Sequence, residues 1–318
     1  MAEGSDEALF EELCRLYWLK PADVPWDFEV LSYVRDRIPA SGTIIDVGCG
    51  DGIVTSLALG GKLPATYDRY ARVEAGYQHI GPGQANDLFA NTLVGTSLRG
   101  QRRQVDIGID PKDYHLDAAR QTGTYRTVLK ETCESMSLPP RSVDLAMAIF
   151  ALYWVDDLTL AVRNIAEALV PGGSLVTVMP TEFNSAMHGA SLLHETYQAM
   201  GVEHGVRWFG EMEGNRRRFI NRHAGSAAHW GEFFGGFGLR VVDLRPAIHF
   251  QRFMIQDTFQ RGLFPYFLEC SRTATTPEAR AAFIDAFTKP VARAILRTTD
   301  ARKTTEPGAY YLITLVKS

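Results

Sequence analysis

The stretch Ile44–Gly52, IIDVGCGDG, decides the fold. A β-branched apolar run passes through Asp46 into glycines at alternate positions, Gly48, Gly50 and Gly52. That pattern describes a strand turning tightly into a helix whose first turn lies against a ligand. Dinucleotide-binding turns read GxGxxG, the third glycine allowing close packing of helix on strand. Here Ile53 holds that third position and the spacing is GxGxG, with Asp46 two residues ahead of the first glycine. A carboxylate at the strand end repels a pyrophosphate. It suits a phosphate-free ligand carrying an ammonium or sulfonium group, by Coulomb attraction in a partly dry site.

Outward from this turn, strand and helix patterns alternate. DGIVTSLALG reads as a helix ended by Gly60 and Gly61, QVDIGID (104–110) as a second strand, and PKDYHLDAAR as a helix with Pro111 at its start. YRTVLKE is a third strand and VDLAMAIFAL a fourth, apolar enough to be buried on both faces. LTLAVRNIAEALV has helical spacing and stops at PGG, before the strand SLVTVMP. GSAAHWGEFFGGFG reads as a helix and LRVVDLRPAI as a sixth strand. Helices are expected around QDTFQRGLFPYFLECS and over TPEARAAFIDAFTKPVARAILR, and GAYYLITLVKS is a last strand. Ahead of the turn, two short helices flank KPADVPW, whose prolines separate them. The whole predicts a doubly wound α/β domain on a parallel sheet.

A ligand held at a first strand by its charged tail needs a second acid for its ribose hydroxyls, about 20 residues beyond the turn. Asp110 ends the second strand but comes much later, so residues 62–103 read as an insertion. The plainer reading of Asp110 is a cap on the following helix. S-adenosylmethionine is the ligand that matches this demand, having a sulfonium and an ammonium and no phosphate.

On these residues the chain resembles the class I SAM-dependent methyltransferases: IIDVGCGDG is similar to the family's first motif and GIDPKDYHLDAA to its second-strand acid and helix. The run from Glu131 to Val178 resembles the stretch from the adenine-contacting loop to the fifth strand. The resemblance implies a seven-stranded, mostly parallel sheet whose last strand is inserted antiparallel beside the fifth. It implies cofactor contacts from Asp46, Gly48, Cys49, Gly50, Asp110 and Pro111, with Thr132 and Cys133 at the adenine. Ile149, Phe150 and Trp154 line the methionine side. Thr132 departs from the acid usual at its position, which passes the adenine hydrogen bond to the backbone. The implied activity is methyl transfer to an oxygen, nitrogen or carbon of a small secondary-metabolite, sugar or lipid-like acceptor. A non-methylating step on the same cofactor, such as cyclisation or decarboxylation, and a non-catalytic cofactor-binding partner subunit are the other readings.

The chain divides into a helical cover (1–40), a cofactor-binding core (41–180), an insertion (181–225) and a closing part of the sheet (226–318) that carries a helical insertion at 249–305. Insertions after strands rise over the ligand and form a lid; the one after the first helix begins on the remote face. Its Tyr67, Tyr70, Tyr77 and Phe89 suggest a homodimer contact or a packing pad. Six of the eight histidines follow Pro180, among them His188 and His223, candidates for a general base; Tyr153 is a third candidate. For each of them a surface or hydrogen-bonded core position is the plainer reading. No pair has metal-binding spacing, so no metal is expected. Arg216, Arg217, Arg218 and Arg222 either grip an anion or form a solvated face. Phe233, Phe234, Phe237, Phe253, Phe264, Tyr266 and Phe267 are packing, or in part an apolar wall for the acceptor.

At 318 residues with net charge −4, the composition is that of an ordinary globular protein and gives no reason to expect a nucleic-acid partner. No apolar run is long enough for a membrane span, and the acidic start is unlike a signal peptide. Four scattered cysteines argue against a disulfide framework and for a reducing cytoplasm.

Overall fold

The computed structural model describes residues 3–70, 98–184, 189–201, 203, 210, 214, 216–256, 273–300 and 307–318. His188, His204, Tyr77, Phe89, Phe264, Tyr266, Phe267 and Cys270 lie outside the described residues, as do the side chains of Arg216 and Arg217 and nearly all of the helix expected around QDTFQRGLFPYFLECS. The chain begins with α1 (Glu3–Leu16) and α2 (Asp23–Arg35). Pro21 stands in the turn between them. Pro25 does not break α2, because it falls in the first turn, where no intrahelical bond needs its missing N–H.

The strands are β1 (Ile44–Val47), β2 (Val105–Ile109), β3 (Tyr125–Leu129), β4 (Val143–Ala148), β5 (Leu169–Pro180), β6 (Leu239–His249) and β7 (Gly308–Lys317). They form one sheet in the order β3-β2-β1-β4-β5-β7-β6. All run parallel except β7, which pairs antiparallel with both β5 and β6. This is the mostly parallel, seven-stranded α/β sheet expected. The direction of winding reverses at β1, with β2 on one side and β4 on the other, so a crevice opens above the carboxyl end of β1.

Helices cover both faces. Ile44, Leu145, Met147, Val176 and Val178 pack toward α1, α2, α3 (Ile53–Ala58) and α4 (Asp113–Thr122). Alternate residues Ile45, Val47, Ala146, Ala148 and Leu175 pack toward the opposite helices, α5 (Leu158–Ala168) and, after α6 (Gly189–Ala199), α7 (Ala227–Gly235). Phe234 and Trp230 are fully buried in this second layer, with Phe233 and Phe237 packed on it, so those phenylalanines are core. Side-chain caps start α5 and α7: Asp157 accepts from the amide of Leu160 and Ser226 from that of His229.

Several expectations need correction. Pro111 lies ahead of α4, whose N-cap is Lys112. β4 ends at Ala148, because Phe150 turns into the left-handed region at φ +56°. The PGG run does not separate α5 from β5; it lies within β5, where the pairing with β4 jumps between Val143 and Leu145 and Gly172 takes φ +80°. β6 leads into a short helix, α8 (Phe250–Met254). The long C-terminal helix is α9 (Pro277–Phe283) and α10 (Lys289–Asp300), joined by a π-type turn over Ile284–Thr288. Pro290 lacks an N–H and its ring would strike the carbonyl four residues back; the wider turn lets the helix pass.

The cover is sewn to the end of the sheet. The Tyr33 hydroxyl lies 2.7 Å from Thr314 Oγ1, Arg37 pairs with Asp243, and Arg252 donates to Glu29 at 2.6 Å. Residues 181–225 leave and rejoin the sheet at one point: Gly225 donates to Pro180 O at 3.2 Å and bridges to Thr181. Among the described residues no helix is long and apolar enough to cross a membrane, and no group of His, Cys, Asp and Glu could hold a metal ion.

Candidate functional site

The glycine turn is fastened above the crevice by the amides of Gly48 and Cys49, which donate to Ile109 O at 2.8 and 2.9 Å. Gly48 takes φ +75°, and a Cβ there would meet that of Ala151 at 2.4 Å, so packing requires it. Gly50 takes φ +54°, and a Cβ there would meet nothing within 4 Å. The middle of the turn therefore opens on free space at the switch point. Cys49 is buried, and burial followed by the nearby Asp46 raises its thiol far above the usual range.

Two carboxylates flank this opening. Asp46 is 2% exposed, and its Oδ2 accepts from Thr55 Oγ1 at 2.6 Å and from the Tyr125 hydroxyl at 2.7 Å. Burial raises its carboxyl above the ordinary value, against the two hydroxyl donors that lower it. Asp110 Oδ2 accepts from the Gly50 amide at 3.0 Å, while Oδ1 accepts from the Lys112 amide at 3.0 Å and lies 3.1 Å from His115 Nδ1. Burial pushes this carboxyl up, but the His115 hydrogen bond and charge and the two amides outweigh it, leaving it below the ordinary value. The bond to Lys112 turns the chain into α4. The bond to Gly50 ties the same carboxylate to the glycine turn.

Tyr125, Gly108 and His115 had not been singled out as site residues. Tyr125 passes beside Gly108, where a Cβ would meet its ring at 2.9 Å, to reach Asp46. A glycine inside an apolar strand was the available signal of such an approach. Pro111 is exposed beside Asp110. Thr132 is also exposed, with its amide and hydroxyl both bonded to Ser135 Oγ at 3.0 Å. Cys133 is buried, its thiol pushed up to about 12 by burial and then by Glu134; Asn164 holds its carbonyl at 3.2 Å.

Beyond β4 and β5 an aromatic cluster forms. Trp26 of α2 lies 6.4 Å from Phe150, 5.6 Å from Phe253 and 5.7 Å from Tyr310, ring centre to ring centre. Tyr153 lies 5.8 Å from Tyr310, which pairs with Pro180 at the carboxyl end of β5. Ile149, Phe150 and Trp154 are half-buried along the same edge. Burial, followed by the Tyr310 phenol, lifts the Tyr153 hydroxyl well above its ordinary range, so it keeps its proton.

His223 sits elsewhere. Its Nε2 is 3.1 Å from Val155 O, and it borders a recess of about 490 Å³ with Asp156, Asp157, Arg222, His229 and Trp230, none of them in the aromatic cluster. Burial lowers its imidazole below the ordinary value, against the Val155 hydrogen bond. Arg218 is exposed and 3.5 Å from Asp156, which makes it part of a solvated face. The start of the 62–103 insertion packs against the helical cover. Tyr67 and Tyr70 are buried in this chain's own core, and the Arg69 guanidinium lies 5.4 Å from the centre of the Tyr17 ring.

A family profile described as "Methyltransferase domain" matches residues 25–244. No curated protein sequence matches the chain. Among solved structures, a SAM-dependent methyltransferase from Thermotoga maritima aligns with TM-score 0.45 and 15% identity over 96% of this chain and 98% of that one. An S-adenosylmethionine dependent methyltransferase from Mesorhizobium loti gives 0.45 and 16% over 92% and 97%. The cyclase SpnF gives 0.46 and 15% over 91% and 80%.

Proposed function

The chain belongs to the methyltransferase-domain family, and from that premise we propose that it moves a methyl group from S-adenosylmethionine to an oxygen, nitrogen or carbon atom of a small-molecule acceptor. The observation that carries this reading is the pair Asp46 and Asp110 on either side of Gly50, whose missing side chain leaves open space at the switch point. An adenosyl group carrying an amino-acid tail fits that donor set. Asp110 has acceptor capacity for ribose hydroxyls beyond its three bonds. Asp46 carries its two hydroxyl bonds on Oδ2 and would hold the ammonium group of the tail. A diphosphate would meet both carboxylates and be repelled. At the adenine, the side chain and amide of Thr132 are engaged with Ser135. The backbone amide of Cys133 would be the adenine's partner.

The sulfonium supplies an already activated methyl. The protein's work is to align the acceptor for in-line attack and to keep water out. The aromatic cluster of Trp26, Phe150, Tyr153, Phe253 and Tyr310 supports a small, apolar acceptor docked from the side of the cover.

Calorimetry tests the cofactor reading. S-adenosylmethionine should bind and NADH should not, and Asp110→Ala should weaken binding by about 1–3 kcal/mol through lost charge-assisted hydrogen bonds. Tight NADH uptake without heat from S-adenosylmethionine refutes it. A labelled methyl retained on the cofactor throughout turnover refutes the transfer.

A further inference from the structure

One acid in the cover has no structural duty proportionate to its burial. Asp27, in the first half of α2, is 8% exposed and stands next to Trp26, the centre of the aromatic cluster. Its Oδ2 accepts from the Tyr17 hydroxyl at 2.5 Å. Its Oδ1 carries no hydrogen bond among the described residues. The groups that face it come from several elements: Tyr17 and Lys20 from the turn between α1 and α2, Asp23 from the start of α2, Arg69 from the 62–103 insertion, and Tyr153 from beyond β4. Arg69 also interacts electrostatically with Asp51 of the glycine turn.

We propose that Asp27, held by Tyr17, is the general base that takes the proton from a hydroxyl acceptor on a flat apolar body. This rests on the methyltransferase reading of the same site. Lys20 and Arg69 stand among Asp23 and Asp27, so the aromatic side chains, and not a net charge, are the guide to the acceptor. The aromatic side chains suit a ring or a conjugated enol. In the step, the acceptor O–H gives its proton to Asp27 Oδ1 as an oxygen lone pair forms the O–CH₃ bond. The S–CH₃ bond breaks with its electron pair staying on sulfur, giving the neutral thioether, and Asp27 later returns the proton to solvent. Burial, moderated by the Tyr17 hydrogen bond, lifts the Asp27 carboxyl to about 6, close to the operating range a general base needs. Tyr153, still protonated, is placed to orient the acceptor.

The test uses the full chain, S-adenosylmethionine with a labelled methyl, and two probe acceptors: phenol, and 4-nitrophenol in a buffer where it is already ionised. Wild type should form labelled anisole with an acidic limb near pH 6. Asp27→Asn should lose about 100-fold or more with phenol and less than about tenfold with the ionised nitrophenol, because only phenol needs a base. Tyr17→Phe keeps the carboxylate but removes the donor that lowers it, so the limb should move to higher pH; this variant decides if Asp27→Asn does not fold. Cofactor affinity in Asp27→Asn should stay within about twofold of wild type, since the residue touches the acceptor. Equal losses on both phenols, an unmoved limb in Tyr17→Phe, or a wild type that binds the cofactor yet methylates neither phenol overturns the proposal. A wild type that does not bind the cofactor overturns the function beneath it.

Discussion

Replacing Tyr125 by phenylalanine removes one oxygen and leaves the ring wedged beside Gly108, so the change isolates the hydroxyl's 2.7 Å bond to Asp46. A hydrogen bond to a charged, buried acceptor contributes about 1.5–3 kcal/mol. Thr55 keeps its own bond to the same oxygen, which places the expected loss near the middle, about 2 kcal/mol. With an unfolding entropy of about 2.1 cal/mol/K per residue over 318 residues, that loss lowers the melting temperature by about 3 °C. Its pH dependence has a definite sign. Burial holds the Asp46 carboxyl above its unfolded value of 3.8, so stability falls as pH rises from there through the folded value, where the folded state gives up a proton it had retained. Losing Tyr125 raises the folded value further and deepens that fall. The gap between wild type and Tyr125→Phe should therefore be larger at the more alkaline of two pH values and smaller at the more acidic one. Melting curves at the two pH values read it directly. Equal melting temperatures throughout, or a gap that widens on acidification, would refute the assigned role of Tyr125.

Gly50→Ala should cost about 1–2 kcal/mol for its left-handed backbone and sharply weaken S-adenosylmethionine binding, because its methyl enters the open space. Gly48→Ala adds an overlap with Ala151 and should lose more stability in a denaturant titration; the reverse order would contradict the geometry of the turn. Arg252 is 1% exposed and bonded to Glu29, so Arg252→Ala, which takes the cation from that carboxylate and leaves it the Ile248 amide, should cost about 3 kcal/mol by the same titration. A loss below about 1 kcal/mol would mean that the pair is solvated.

The geometry of the candidate cofactor side was legible because its signals are local. Asp46, Gly48 and Gly50 stand within one strand–turn–helix unit, and Asp110 directly follows the next strand once the insertion is set aside. The inserted antiparallel strand came from the family resemblance, and the ladders bear it out. Tyr125 and His115 lie on elements that read only as framework, and their partners are fixed by sheet register and helix docking. Asp27 is further still from legibility. In sequence it is an ordinary acid on a short helix, and only the packing of α1, α2 and residues 64–70 surrounds it with Tyr17 and Arg69. The PGG run misled for a related reason: it is a breaker by local rule, and a strand irregularity absorbs it.

The bond between Tyr33 and Thr314 spans 281 positions, and it has a consequence for synthesis. On the ribosome, α1 and α2 emerge with their apolar sides bare well before the strand that fastens them. Until β7 slides between β5 and β6, the nascent protein holds a half-built sheet and a greasy flap, a form suited to chaperone capture and prone to clumping. Maturation should accordingly be slow and nearly all-or-none, set by the arrival of that last strand and not by the early closure of the glycine turn.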